Sequence, residues 1–151
     1  MGRRVSDIAF FVALLSTALA LGAALAHALE LPNKIGLARE TYFTVQQIYR
    51  GWNLLGLLLV VEFASMVAAA YAEKRSPLVF RLVIGAIACL ALAQAFFWAF
   101  TFPANQATEN WTVQPGNWNA LRRQWEFSHA AGAAFQVLAM SLVIAAVLKR
   151  R

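Results

Sequence analysis

Residues 52–72 read WNLLGLLLVVEFASMVAAAYA, and Glu62 is the one charged residue in this stretch. At a rise of ~1.5 Å per residue, about 20 residues of helix match the ~30 Å hydrocarbon core of a bilayer. Three other stretches are similarly long and apolar, and charged or turn residues bound each of them: Ile8–Leu29, Leu82–Phe102 and Phe127–Leu148. The pattern predicts four membrane-spanning helices.

The composition is too apolar for a water-soluble protein. Hydrophobic residues make up 61% of the 151 residues and charged residues only 13%, and the mean hydropathy is +0.60. The net charge of +6 does not indicate nucleic-acid binding, because the basic residues lie at the ends of apolar stretches instead of forming a stripe. We expect an all-α integral membrane protein, in which residues 1–151 form a single up-down-up-down four-helix bundle.

The distribution of basic residues predicts the orientation in the membrane. One set of helix ends carries Arg3, Arg4, Lys74, Arg75, Arg81, Lys149, Arg150 and Arg151. Basic residues near short connections mark the cytoplasmic side, so both termini are expected there, with the loops Leu31–Arg50 and Pro103–Glu126 outside. We expect a bacterial inner membrane as the location and the lipid bilayer as a partner. Assembly into a homo-oligomer or a larger membrane complex stays open.

Proline and asparagine residues predict three helix boundaries. Proline disfavours helical geometry in the residue before it, so the first helix is expected to end at Pro32 and the third at Pro103. Asn117 is a candidate cap for a fourth helix that begins at Trp118.

Two periodic patterns predict packing. Polar and aromatic residues at three- and four-residue spacing within residues 38–50 predict a short amphipathic helix in the first outer loop. In the first helix, Ala18, Gly22 and Ala26 lie four residues apart. Such a strip of small residues is expected to let a neighbouring helix approach closely.

The chain has only two histidines, and the topology places both about one turn inside the outer edge, His27 on the first helix and His129 on the fourth. The first and last helices of a four-helix bundle can be neighbours, so the two imidazoles could meet. A histidine pair at equal depth can ligate haem iron, bind another metal ion, or act as acid and base. Alternatively, each histidine could hydrogen-bond only a carbonyl group or water near the interface.

Three polar side chains fall near the middle of the spans, Glu62, Gln94 and Gln136. An ionisable group at that depth costs several kcal/mol unless it is paired or hydrated, so we expect the three to cluster inside the bundle. Together with the histidines and Trp98, they predict an outward-facing cavity with Glu62 below. The same hydrogen bonds could instead serve only to hold the helices together.

One segment resembles a known family. Pro103-Ala104-Asn105, followed by Leu121, Trp125 and His129, resembles the anthrone oxygenase-like membrane proteins, a family largely of unknown function. The resemblance implies a four-helix membrane bundle and, as for a few members, oxygenation of a lipophilic aromatic molecule without an obvious cofactor. It assigns functional roles to Asn105, Trp125 and His129. Where the family often has an arginine after the histidine, this chain has residues 130–133, AAGA.

Three function classes remain, because the chain has no phosphate-binding loop, paired-cysteine motif or HExxH motif. It could be an oxygenase-like oxidoreductase acting on a lipophilic small molecule, a haem- or metal-carrying electron-transfer module using His27 and His129, or a non-catalytic accessory subunit. The candidate catalytic residues are His27, His129 and Glu62. The candidate substrate pocket consists of Asn105, Trp125, Gln94, Gln136 and Trp98.

Overall fold

The computed structural model describes residues 3–150, which are almost entirely helical and contain no strand. The helices are α1 (Arg3–Lys34), α2 (Arg39–Gln46), α3 (Leu55–Ala72), α4 (Pro77–Phe96), α5 (Phe102–Ala107) and α6 (Trp118–Lys149). A 3₁₀ turn follows α2 at Gln47–Tyr49, another precedes α3 at Trp52–Leu54, and a π turn at Phe97–Thr101 joins α4 to α5. The all-α fold and the short loop helix are confirmed.

Four helical stretches are long and apolar enough to cross a membrane, Arg3–Lys34, Trp52–Ala72, Pro77–Ala107 and Trp118–Lys149. They run alternately between a terminal end, which holds Arg3, Arg150 and residues 73–76, and a loop end, which holds α2 and residues 108–117. The closest pairs are α1 with α3, α1 with α6, and α4 with α6. Helices α3 and α4 touch less, although only four residues connect them.

The core consists of two apolar clusters with a space between them. In the terminal half, all four spans contribute buried side chains, among them Phe10, Met66, Val83, Leu90 and Val143. At the loop end, the second cluster contains Tyr42, Phe43, Ala104, Trp111, Leu121 and Trp125. Because the two clusters do not meet, the middle of the loop half is free to hold a ligand.

Pro32 and Pro103 both lie inside helices, so the helix ends predicted at these two residues are wrong. Helix α1 continues through Pro32 to Lys34, and Pro103 lies in the first turn of α5. Proline is tolerated in a first turn, because its missing amide hydrogen would have no partner there, and π turns accommodate proline within membrane spans. The third span therefore reaches Ala107 and carries Asn105 to the cavity wall.

Two local predictions also need correction. Helix α6 begins at Trp118 as predicted, but the Asn117 side chain makes no capping hydrogen bond, and its backbone carbonyl accepts from the amides of Ala120 and Leu121 instead. The small-residue strip of α1 faces away from the bundle, because Gly22 is exposed and an added Cβ there would meet no atom within 4 Å. No helix of the described chain packs against Gly22.

The orientation in the membrane stays a prediction, with a direct test. The structure places Ser76 in the connection at the terminal end and Pro115 in the connection at the loop end. Reporter fusions after Ser76 and after Pro115 are expected to lie on opposite sides, the first of them cytoplasmic. Reporter activity on the same side for both fusions would contradict the four-span fold, whereas exchanged sides would contradict only the orientation. Arg151, part of the basic group used for this prediction, lies outside the described residues.

Candidate functional site

A cavity of about 1180 Å³ occupies the loop half of the bundle. All the predicted pocket residues and both histidines line it, namely His27, Gln94, Trp98, Asn105, Trp125, His129 and Gln136. Glu62 is not in the wall. Among residues 3–150, no aspartate or lysine lines the wall, and the only arginine and glutamate that do, Arg50 and Glu109, are exposed. The interior of the cavity is therefore lined by apolar, aromatic and neutral hydrogen-bonding groups together with the two histidines.

The two histidines meet, as the topology predicted. Their ring centres are 4.3 Å apart, with the planes tilted by 45°. His27 is 7% exposed, and its ring centre lies 4.5 Å from that of Tyr49 and 5.1 Å from that of Trp52. Trp125 packs against both rings, and its ring centre lies 3.9 Å from that of His129 and 5.1 Å from that of His27. Aromatic rings thus hold both imidazoles in one place at the edge of the cavity.

A backbone hydrogen bond fixes the tautomer of His129. Its Nδ1 atom lies 2.8 Å from the carbonyl oxygen of Trp125, one turn earlier in α6. Since a carbonyl oxygen can only accept, Nδ1 carries the hydrogen and Nε2 of the neutral ring is the acceptor. The Nδ1 atom of His27 is buried and has no hydrogen-bond partner among the described residues. His129 is therefore the better-oriented base of the two.

The pair does not fit two ligands on opposite sides of one haem iron. Nitrogen ligands about 2 Å from a metal on opposite sides lie about 4 Å apart, and their ring centres are further apart still. Here the ring centres are already 4.3 Å apart and the rings are tilted against each other. Within residues 3–150, no group of three or more histidine, cysteine, aspartate or glutamate side chains could hold a metal ion. The ring geometry therefore argues against bis-histidine ligation of haem.

Asn105 organises the loop end of the cavity. Its Oδ1 atom accepts hydrogen bonds from two indole groups, Trp125 at 2.9 Å and Trp111 at 3.2 Å. Trp111 reaches this position because Glu109, Asn110 and Trp111 all adopt positive φ angles, which turn the chain inward. The resemblance assigned roles to Asn105 and Trp125, and the structure joins them by one hydrogen bond. Nothing in the sequence indicated that Trp111 would donate to the same Asn105 oxygen.

Replacing Asn105 with leucine is expected to destabilise the fold by about 2–4 kcal/mol, because it leaves two buried indole donors without an acceptor. Trp111 and Trp125 are only 4% and 3% exposed. Thermal unfolding in detergent measures the effect, and Gln106→Leu, at an exposed position of the same helix, is the matched control. Equal stability of the two variants would contradict the bridging role of Asn105.

Glu62 is fully buried and belongs to a polar layer beneath the cavity. The Gln136 amide donates to Glu62 Oε2 at 3.4 Å, a long hydrogen bond. Glu62 Oε1, Gln136 Oε1 and Thr17 Oγ1 are buried without a hydrogen-bond partner among the described residues. Gln94, expected in this layer, lines the cavity and is not hydrogen-bonded to Glu62. Glu62 can therefore influence the cavity only through Gln136, which belongs to both.

Glu62→Leu is expected to cost about 1–3 kcal/mol of stability, because the buried Gln136 amide loses its acceptor. Glu62→Gln keeps an acceptor and is expected to be milder. Unfolding in detergent compares the two with Val61→Leu, at a lipid-facing position of the same helix that is 46% exposed. A Glu62→Leu protein as stable as the Val61→Leu control would show that the layer does not hold the helices together.

A buried ion pair near Trp125 and Tyr49 is only partly predictable from the sequence. Lys34 is 4% exposed, and its Nζ atom lies 3.2 Å from Glu126 Oε1, 3.6 Å from Glu30 Oε2 and 2.7 Å from the Tyr49 hydroxyl. The same ammonium group lies 4.7 Å from the centre of the Trp125 ring. The four-residue spacing of Glu30 and Lys34 is visible in the sequence. Their distant partner Glu126 is not.

Two tyrosines of the loop segment complete this network as donors. The Tyr42 hydroxyl donates to Glu126 Oε1 at 2.9 Å, and the Tyr49 hydroxyl donates to Glu30. Burial raises the pKa of Tyr42, and the neighbouring Glu126 raises it further. Burial and the hydrogen bond to Glu30 raise the pKa of Tyr49. Both side chains stay protonated, so these hydrogen bonds fasten the loop segment to the bundle.

Comparison with known proteins does not identify a family for this chain. No protein-family model, no curated protein and no solved structure matches it. The resemblance to the anthrone oxygenase-like proteins therefore stays a prediction, and the case for a function depends on the cavity and its histidine pair.

Proposed function

We propose that this chain is a small membrane enzyme that binds a lipophilic aromatic molecule in the cavity and removes a proton from it with His129. The observation that carries the proposal is the contact between His27 and His129 at the wall of a largely apolar cavity whose only charged wall residues among those described, Arg50 and Glu109, are exposed. Lipophilic ligands prefer such a cavity, and a few polar groups fix their orientation. The proposal places the chain in a bacterial inner membrane with both termini in the cytoplasm.

Oxygenation is the reaction class that the resemblance adds. An activated methylene group between aromatic rings that loses a proton becomes a carbanion, which can itself reduce molecular oxygen. The balance is one CH₂ group and one O₂ molecule giving one C=O group and one water. The Nε2 atom of His129 is the acceptor for the first proton, because Nδ1 is occupied by the Trp125 carbonyl. Asn105 acts indirectly in this scheme, by holding Trp125 against the histidine.

Filling the cavity provides the test. Gly132 lines the cavity one turn after His129, and a Cβ added there meets no atom within 4 Å. Gly132→Leu is therefore expected to fold and to weaken binding of anthrone, a lipophilic tricyclic probe with an activated methylene group, beside His129. Binding can be followed through tryptophan fluorescence, since Trp52, Trp98, Trp111 and Trp125 all line the cavity.

The control is Gly22→Leu, because Gly22 has equal space around it but faces away from the bundle. The wild-type protein and the Gly22→Leu variant in lipid nanodiscs are expected to bind anthrone and to consume oxygen in its presence. If anthrone binds the Gly132→Leu protein as strongly as the wild type, anthrone does not bind beside His129, and the proposed reaction is refuted. Binding without oxygen consumption would leave a binding protein and refute the oxygenase.

A further inference from the structure

We infer that the ligand of this cavity is a membrane amphiphile with an uncharged head and a long apolar tail, and that the tail leaves the cavity sideways between α3 and α4. The inference rests on the proposed function and adds the class of molecule and its direction in the bilayer. It follows from where the cavity wall is open, where its polar groups lie, and which charges it lacks.

Exposed wall residues mark an opening between α3 and the loop-end continuation of α4 through the π turn into α5. Gly56 and Val60 lie one turn apart on α3, Trp98 lies in the π turn and Phe102 begins α5, and all four line the cavity. Val60 is nevertheless 66% exposed and Trp98 59% exposed. Both lie within membrane-spanning stretches, so their exposed surfaces face acyl chains. This opening agrees with the limited contact between α3 and α4.

The polar groups define the direction of the ligand. The histidine pair, Asn105 and Trp125 line the loop side of the cavity. His27 and Trp125 lie about two turns from the loop-end termini of α1 and α6, and His129 lies about three turns from the start of α6. Towards the middle of the membrane the wall is mostly apolar, with Leu59, Phe63, Phe97 and Ala133, and its polar groups there are the neutral amides of Gln94 and Gln136. A molecule with its head at the histidines and its tail towards the midplane has the same direction as the lipids of that leaflet.

The lack of interior charge defines the head. The Lys34 ammonium group is paired with Glu30 and Glu126 outside the cavity wall, and the charged wall residues Arg50 and Glu109 stand exposed at the loop-end rim. An ionic head would therefore lose its hydration at the histidines without gaining an opposite charge. A phenol or a carbonyl group can instead exchange hydrogen bonds with the imidazoles.

Bulky residues at the opening test the path of the tail. In nanodiscs, a ring-brominated pentadecylphenol serves as a tailed probe and 4-bromophenol as a tail-free probe, because bromine quenches the tryptophans that line the cavity. Gly56→Phe and Val60→Phe are expected to weaken binding of the tailed probe about tenfold, or ~1.4 kcal/mol, and to leave binding of 4-bromophenol unchanged. Leu57→Phe is the control, since Leu57 is 71% exposed and lies outside the cavity wall.

The outcomes separate this inference from the proposed function. If the two variants bind both probes more weakly, or if both variants bind both probes as the wild type does, the tail does not pass between α3 and α4. A brominated alkyl sulfonate is expected to quench no more than the background set by the Gly132→Leu protein, and stronger quenching would refute the uncharged head. If neither phenol quenches the wild type above that background, the cavity binds no such ligand and the proposed function itself fails.

Discussion

Lys34→Met is expected to destabilise the protein by about 3–5 kcal/mol, the usual cost of removing one partner from a buried ion pair. Methionine keeps the length of the side chain but leaves the fully buried Glu126 carboxylate without its cation. It also removes the hydrogen bond from Lys34 to the Tyr49 hydroxyl. Reversible unfolding in mixed detergent micelles measures the free energy.

The structure offers a matched control and a rescue for this variant. Arg39 and Glu40 form an exposed ion pair near the same end of the bundle, with 46% and 72% of their side chains exposed, so Arg39→Met is expected to cost less than about 1 kcal/mol. In the double variant Lys34→Met, Glu126→Gln, the neutral amide still accepts from Tyr42, and most of the lost stability should return. Equal losses for Lys34→Met and Arg39→Met would show that burial of the pair contributes nothing.

The depth of each residue in the membrane could be predicted from the sequence, because the helical rise per residue and the topology are enough to determine it. Those two quantities placed His27 and His129 at one level, and the structure places their rings in contact. The helix face shared by His129 and Gln136 was predicted to point inward, because polar side chains are unfavourable in contact with lipid. Both residues line the cavity.

Which residues contact one another across the bundle could not be predicted in the same way. The contact of Trp111 with Asn105 involves three consecutive positive φ angles, and of glutamate, asparagine and tryptophan only asparagine favours such angles. The π turn at Phe97–Thr101 packs against α6. The pairing of Lys34 with Glu126 joins residues at opposite ends of the chain. Each of these features needs the packed bundle, which a linear pattern does not contain.

The placement of Glu62 shows why depth alone does not identify a site residue. Counting along the helix put its carboxyl group at the level of Gln136, and the two are hydrogen-bonded. Yet Glu62 lies behind the cavity wall, while Gln136 is part of it. A direct catalytic role for Glu62 stays a prediction, and the geometry supports an indirect one through the orientation of the Gln136 amide.

His129→Phe is expected to lower anthrone-dependent oxygen consumption by about 10²–10⁴-fold, the range that a positioned general base contributes. Phenylalanine keeps an aromatic ring beside Trp125, which lies 3.9 Å from the imidazole, but it has no nitrogen to accept a proton. The turnover rate should therefore fall while anthrone binding, read from tryptophan fluorescence, changes little. A parallel His27→Phe variant distinguishes the roles of the two histidines, because only His129 has its tautomer fixed by a backbone carbonyl.

The pattern of losses decides the role of the pair. A large loss in turnover for His129→Phe with a smaller loss for His27→Phe supports one oriented base assisted by a neighbour. Losses of binding that match the losses of turnover in both variants would make the imidazoles ligand-positioning groups instead. An unchanged rate in His129→Phe would refute the assignment of His129 as the base outright, because the assignment depends on its Nε2 atom accepting the proton.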